Sequence, residues 1–420
     1  MPSHSSWKGD DADSFKALIP KQNTTQRTEV WEHDRAHLPA LTYSLVQERS
    51  HQQQGDAKMG LQVSFIFGGI STEYDSSVSS LRNIISSYLE LPVNKRPFGV
   101  KNIYHLNRED GLIRTIPLSG VSDARNIDAY IESNVAALGG PLLSTIGSVD
   151  PCREYLVNLL HGQFGEDGGI QWLAALLGLK GTFGDPHVAS LTMNKHAMSL
   201  FVSSQLSPDI VRIPKTRLIK PKTVEHEIPI ANSIQGPVVV KPNSLGSSIL
   251  TEVFDDPVAL QDDMSEMISE ILRYDRAALL QEYIPGSEYS CGCIVNASGI
   301  MLLPVVEIQT QRRFFGSKEK NCSDLYGLRV VDDSDPISVK VKDITNKIAG
   351  AVDLYNIARF DFRVNDESEV YFLECNYLPG LGTGGIFPTM LQGAGMTVID
   401  MIAYILNSPN LFGAKDHIRV

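Results

Sequence analysis

Asp361, Glu374 and Asn376, with Arg359 beside them, are the residues of this chain whose types and spacing best suit chemistry. They lie in A-R-F-D-F-R-V-N-D-E-S-E-V-Y-F-L-E-C-N-Y-L-P, from Ala358 to Pro379, where apolar and polar residues alternate on both sides of Asn365-Asp366-Glu367-Ser368. Those four are turn-forming residues, so the segment reads as a hairpin. Alternation puts Arg359 and Asp361 on one face of the first strand, and Glu374 and Asn376 on one face of the second. If the two faces coincide, an all-oxygen cluster stands beside a guanidinium. Such ligands suit Mg²⁺ or Mn²⁺ held partly through substrate phosphates. The same pattern also suits an ordinary amphipathic hairpin with a solvated polar face. Directly after it, Leu378-Pro379-Gly380-Leu381-Gly382-Thr383-Gly384-Gly385 leaves backbone amides open to an anion.

Other segments must position this cluster. Leu61 to Phe67 is a buried-strand pattern, followed by Gly68-Gly69-Ile70-Ser71-Thr72-Glu73 and a helical run through Leu89. Strand, glycine turn and helix suggest an open α/β sheet with its ligand at the carboxyl ends of the strands. Two glycines are not the three-glycine dinucleotide fingerprint, so NAD is not implied. A second such unit runs from Tyr155 to Leu160 and through His161-Gly162-Gln163-Phe164-Gly165-Glu166-Asp167-Gly168-Gly169 into a helix from Ile170 to Leu177. His161 has few apolar neighbours in sequence to bury it, which favours a site role; Glu166 and Asp167 read as helix caps. Val188 to Phe201 reads as one helix carrying Asn194 and Lys195. Pro237 to Pro242 is a buried strand with Lys241 at its exit, before the small-residue loop Asn243 to Ser248. That pairing suits phosphate, without P-loop spacing. A helix is expected from about Pro257 to Ile271, a strand followed by a turn with acids within Ala278 to Tyr289, and a strand at Leu302 to Ile308. Gln309 to Asn321 is polar and basic, and reads as a mobile loop whose Arg312, Arg313, Lys318 and Lys320 either face solvent or close over phosphate.

A chain of 420 residues has room for two or three domains. Its net charge of -12 argues against nucleic acid as a main partner. Five scattered cysteines fit a reducing, cytoplasmic setting, and no second Cys or His pair completes a zinc site with Cys291 and Cys293. No apolar run reaches the length of a membrane span. Residues 1 to 60, rich in Ser, Gln, His, Asp and Lys, read as a disordered extension.

Taken together, F-G-G-I-S-T-E, L-H-G-Q-F-G-E-D-G, M-N-K, V-V-K-P-N-S-L-G-S-S, Q-E-Y-I-P-G-S-E and R-F-D with E-C-N-Y-L-P-G resemble, in order, the D-alanine-D-alanine ligase family of the ATP-grasp superfamily. The likeness runs from Leu61 to about Ile402. It implies an α/β and α+β architecture: an open parallel-sheet domain at 61–193, then an ATP-grasp fold of two subdomains at 194–286 and 287–420 that clasp ATP between their sheets. It implies an ATP-dependent carboxylate-amine ligase acting through an acyl phosphate, small amino-acid-like substrates, and a homodimer. Lys195, Lys241, Ser247 and Ser248 would hold or cover the phosphates. Gln281, Glu282, Tyr283 and Ile284 would line the adenine pocket, and Glu288 would bind ribose. Asp361, Glu374 and Asn376 would carry two magnesium ions. Arg359 and the Gly380 amide would stabilise the oxyanion; Glu73 and His161 would face the first amino acid, and Lys320 would belong to the lid.

Three positions depart from the family pattern. Its Ser-Leu pair, which binds the second substrate, falls on Gly385-Ile386, where a backbone amide could partly replace the hydroxyl. Its lid Lys-Tyr pair falls on Lys320-Asn321, and an acid common on the adenine strand is Gln281. Catalytic positions thus match the family better than substrate positions, a pattern that favours a working ligase with altered acceptor choice. The retained Lys195, Lys241, Arg359, Asp361, Glu374 and Asn376 speak against a silent ATP-binding regulatory protein. The departures also admit a ligase of specialised metabolism that joins other amino-acid-like substrates.

Overall fold

The computed structural model describes residues 62–118, 129, 133, 138–222, 234, 236–310 and 326–407. The extension expected at 1–60, and all of the expected lid after Thr310, including Lys320 and Asn321, lie outside the described residues. Within them the strands form three sheets. The first comprises β1 (Gln62–Gly68), β2 (Val100–Leu106), β3 (Ile113–Pro117), β4 (Glu154–Asn158) and β5 (Lys180–Gly181), in the order β3-β2-β1-β4-β5. β1 pairs in parallel with β2 and β4, and β4 with β5, whereas β3 is an antiparallel edge. The expected parallel sheet is therefore mixed. The link from β2 to β3 is a tight turn closed by Asn107 N–H to Leu112 O (3.0 Å), far too short for a parallel crossover.

Helix α1 (Tyr74–Glu90) follows β1 and buries Leu81, Ile84, Ile85 and Tyr88, the spacing of one helical face. α2 (Leu142–Gly147) and α3 (Gly169–Leu177) complete this part of the fold. His105, near the end of β2, is fully buried. Its ring stacks on Phe67 with centroids 4.7 Å apart, and Nε2 lies 2.7 Å from the Tyr74 hydroxyl. Burial first, and the charge of Arg114 second, push its pKa from 6.5 down to about 4. The native imidazole is thus neutral where the unfolded one is charged. Its contribution to stability is present above about pH 6.5 and is lost as the pH falls toward about 4. His105→Phe should flatten the plot of unfolding free energy against pH across that window, removing up to about one proton of uptake; an unchanged slope would assign the acid sensitivity to another group.

The expected helix from Val188 to Phe201 is in fact two, α4 (Pro186–Met193) and α5 (Lys195–Gln205), broken at Asn194. The Asn194 side chain accepts from Ala197 N–H (2.9 Å) and caps α5, while Lys195 N–H donates to Asn243 O (3.0 Å) instead of continuing a helix. The break puts Lys195 in the first turn of a helix, against the 243–248 loop.

The second sheet is antiparallel: β6 (Thr216–Ile219), β7 (Val238–Pro242), β8 (Glu252–Phe254) and β9 (Ala278–Glu282), in the order β6-β9-β7-β8. Helix α6 packs Met264, Ile268 and Ile271 into its core. It spans Gln261–Tyr274 and starts later than Pro257, because the Asp256 side chain accepts from Val258 and Ala259 N–H and holds a turn there.

The third sheet holds β10 (Ser287–Asn296), β11 (Gly299–Leu302), β12 (Val306–Thr310), β13 (Tyr326–Val330), β14 (Asn356–Val364) and β15 (Val370–Asn376). Its order is β13-β12-β10-β14-β15, with β11 paired to β10. The single strand expected from Leu302 to Ile308 is divided between β11 and β12 around Pro304, which has no N–H to donate to a ladder. Helices α7 (Pro336–Ala351), α8 (Ile386–Gly393) and α9 (Val398–Leu406) bury Ile344, Ile348, Phe387, Met390, Ile399 and Ile402 in one core with Phe360, Phe362 and Phe372. Among the described residues no single helix is long and apolar enough to cross a membrane.

Candidate functional site

The hairpin forms as its pattern requires. Ser368 N–H donates to Asn365 O (2.9 Å) across the turn, and Ser368 takes φ 60°. Pairing of β14 with β15 sets Asp361 opposite Glu374 and Arg359 opposite Asn376, so the two polar faces coincide. Arg359 grips Asp361 with two parallel bonds, Nε to Oδ1 and Nη2 to Oδ2, both 2.8 Å. Ser290 Oγ also donates to Oδ1 (2.5 Å), and Asn376 Nδ2 to Oδ2 (2.9 Å). Burial opposes the charge on Arg359, but the Asp361 carboxylate outweighs it and holds the guanidinium protonated. Glu374 meets Lys195 Nζ at 3.3 Å.

Each carboxylate of the cluster is thus balanced by a side-chain cation, which marks the place as one that requires positive charge. Among the described residues no group of three or more His, Cys, Asp or Glu side chains could hold a metal ion. The donor set here, two carboxylates and one amide, matches a hard cation whose shell is completed by phosphate oxygens and water.

This polar face forms one wall of a cleft between the second and third sheets. Lys195, Lys241, Gln281, Glu282, Tyr283, Ile284, Ser248, Glu288, Arg359, Asp361, Glu374 and Ile386 all line it. Lys195 also donates to Leu245 O (2.7 Å), which ties the loop to the cluster. Ser247 and Ser248 hold φ 53° and 52°, a left-handed conformation that L residues adopt at some cost. Glu282 turns its carboxylate to Lys215 N–H (2.8 Å), and Gln281 donates through Nε2 to Thr216 Oγ1 (2.8 Å); both bonds stitch β9 to the segment carrying β6. Arg363 and Leu373 also line the cleft and escaped the sequence reading. The signal for Arg363 was present: in R-F-D-F-R it is the third polar residue on the face that carries Arg359 and Asp361.

A second polar centre lies at the carboxyl ends of β1 and β4. Glu73, at the start of α1, accepts from Ser247 Oγ (2.9 Å). A Cβ on Gly246 would lie 2.4 Å from its Oε1, so a side chain there would displace the Glu73 carboxylate from its bond to Ser247. Burial first, and the charge of Glu166 second, raise the pKa of Glu73. His161 is buried, with Nδ1 3.8 Å from Glu166 and Nε2 3.3 Å from Ser80 Oγ. Burial lowers its pKa, but the hydrogen bond and charge of Glu166 outweigh that and leave it raised. Glu166 itself does more than cap a helix: it accepts from Gly162 N–H (2.7 Å) and from Leu378 N–H (3.2 Å), linking the first sheet to the glycine-rich loop. Asn83 and Ser80 of α1 hold the same loop through Leu381. The space beside Gly380 is open, with no atom within 4 Å of a Cβ built there. The Gly385 N–H donates to Gly382 O (3.0 Å) within the loop.

Glu73 has a direct test. A raised native pKa means that ionising this buried carboxyl opposes folding: its contribution favours the native state below the ordinary carboxylate range and is lost as the pH rises through the native pKa. Glu73→Gln should therefore raise the Tm of the ligand-free protein at pH 8 by on the order of 2 °C. A fall in Tm would show that the ionised carboxylate is held more strongly than its burial allows.

Residues 210–407 match the family model for the D-ala D-ala ligase C-terminus. A D-alanine-D-alanine ligase of Staphylococcus epidermidis is 24% identical over 352 residues, an alignment covering 82% of this chain and 94% of the relative. Among solved structures, a D-Ala:D-Ser ligase of Enterococcus faecalis superposes with a TM-score of 0.66 at 22% identity, covering 83% of this chain and 99% of that one. A D-alanine-D-alanine ligase of Bacillus anthracis complexed with ATP gives 0.58 at 19% identity, over 85% and 100%. The family match covers the two sheets that form the cleft, and the fold over most of the chain's length is that of the solved D-alanine-D-alanine and D-Ala:D-Ser ligases, so this chain is similar to the D-alanine-D-alanine ligases.

Proposed function

We propose that this chain is an ATP-dependent carboxylate-amine ligase that joins two small amino-acid-like molecules through an acyl phosphate. What carries the reading is the single cleft that gathers Lys195 and Lys241 with Arg359, Asp361 and Glu374. The relatives' activity is the source of the substrate class, D-alanine or a D-alanine-like amino acid. Lys195 and Lys241 hold the phosphates, and Ser247 and Ser248 cover them. Gln281 to Ile284 frame the base, and Glu288 binds the ribose. Asp361, Glu374 and Asn376 would hold Mg²⁺ or Mn²⁺ between themselves and the phosphates, which supplies charge neutralisation to the transferring group.

Chemistry proceeds in two displacements. A carboxylate oxygen of the first substrate attacks the γ-phosphorus, and ADP leaves. The amine of the second attacks the resulting acyl carbon, a proton is lost from nitrogen, and phosphate leaves. Arg359 and the Gly380 amide face the oxyanion of the tetrahedral intermediate. Glu73 holds the ammonium of the first substrate, and the protonated His161 balances that carboxylate from behind.

The test is phosphate release from ATP with Mg²⁺, first with D-alanine alone and then with a panel of D- and L-amino acids, products being identified by mass. Release with a dipeptide mass supports the reading. Turnover only with another pair places the change of acceptor at Gly385-Ile386. Silence with every pair, alongside ATP binding, would replace the ligase reading with that of a nucleotide-binding regulatory protein.

A further inference from the structure

Arg363 stands apart from the groups that the reaction uses. It follows Asp361 by two residues on β14, so it shares the cleft face and lies about 7 Å further along the strand from the phosphate-handling cluster. It is 7% exposed, and its guanidinium carbon lies 5.0 Å from the centroid of the Tyr283 ring. Nη2 donates to Gly286 O (2.8 Å) and reaches the Tyr283 hydroxyl at 3.4 Å. The plane of the charge is therefore set by the chain turning from β9 into β10. Leu373 of the third sheet and Val239 of the second also line the cleft. Spacing along β14 thus puts the proposed phosphate chemistry at Arg359 and Asp361 and a fixed planar cation at the other end, beside the Tyr283 ring and opposite Glu288 on β10. A guanidinium held in a fixed plane beside an aromatic ring suits one ligand feature above others, the face of a second aromatic ring.

We propose that Arg363 stacks on the purine base of the nucleotide, extending the Tyr283 ring as a cationic platform, and so determines nucleotide affinity. This rests on the nucleotide reading of the cleft. Desolvated cation–π contacts are strong enough to change affinity by about tenfold. The guanidinium acts on the base, so it should matter little to a ligand that has phosphates alone.

Binding of Mg-ATP and of Mg-tripolyphosphate, which lacks base and sugar, is measured by calorimetry on the full chain. Arg363→Leu should weaken ATP about tenfold and leave tripolyphosphate within about twofold. Equal weakening of both ligands would assign Arg363 to long-range charge or to structure, and no weakening of ATP would remove it from the base site; either outcome overturns the proposal. Should Arg363→Leu fail to fold, Arg363→Lys keeps the charge without the plane and is expected to weaken ATP alone. Wild-type protein that binds tripolyphosphate but gains nothing from the base also overturns the proposal, while leaving the phosphate site standing. Wild-type protein that binds neither ligand overturns the nucleotide reading and this inference together.

Discussion

Glu374→Gln should lower ATP-dependent phosphate release by about 10³-fold, because the substitution keeps the shape of the side chain and removes its charge. Glu374 stands opposite Asp361 on the paired strands and forms an ion pair with Lys195. A neutral amide at this position leaves the cleft one negative charge short just where a divalent cation and a transferring phosphoryl group must be balanced. Folding should be almost indifferent. The Lys195 and Glu374 side chains are 12% and 23% exposed, and partly solvated pairs contribute little to stability. Single-turnover phosphate release and a thermal melt on the same preparation separate the two effects. An unchanged rate would remove Glu374 from the set that handles the metal.

Arg359→Lys should lower turnover by about 10²- to 10³-fold although the formal charge is retained. The two-pronged grip on Asp361, with both bonds at 2.8 Å, needs the planar fork of a guanidinium. An ammonium can satisfy one prong at a time, and it reaches the oxyanion from a different direction. Asp361 keeps its bonds from Ser290 and Asn376, so the lysine variant should fold. Arg359→Met is a harsher change, leaving a nearly buried carboxylate without its ion-pair partner at a cost of roughly 3–5 kcal/mol. If lysine restored full turnover, the role of Arg359 would be one of charge alone, and the directional part of the oxyanion argument would be lost.

Much of this site is legible along the chain because strand geometry is periodic. The alternation in R-F-D-F-R and L-E-C-N determines which side chains share a face, and the turn residues between them determine that the strands return on each other. The glycine turn after β1 and the Lys241 exit from β7 are equally local statements, and the structure bears both out. Where the reading failed, a local competitor won. Asn194 capped a new helix instead of continuing the old one, Pro304 divided a strand, and the short link before β3 reversed an edge.

What the residues by themselves determined about this protein is the inventory: carboxylates, amide and guanidinium on one hairpin face, two lysines at element ends, a small-residue loop and a glycine-rich one. Only the tertiary structure decided their partners. Glu166 meets Leu378 across 212 positions of sequence, Ser247 meets Glu73 across 174, and Arg363 meets Tyr283 across 80. The physical reason is that periodicity fixes the direction of a side chain only relative to its own strand or helix. Which element it faces is settled by how three sheets bury their apolar sides, and that burial depends on contacts between segments far apart in the chain.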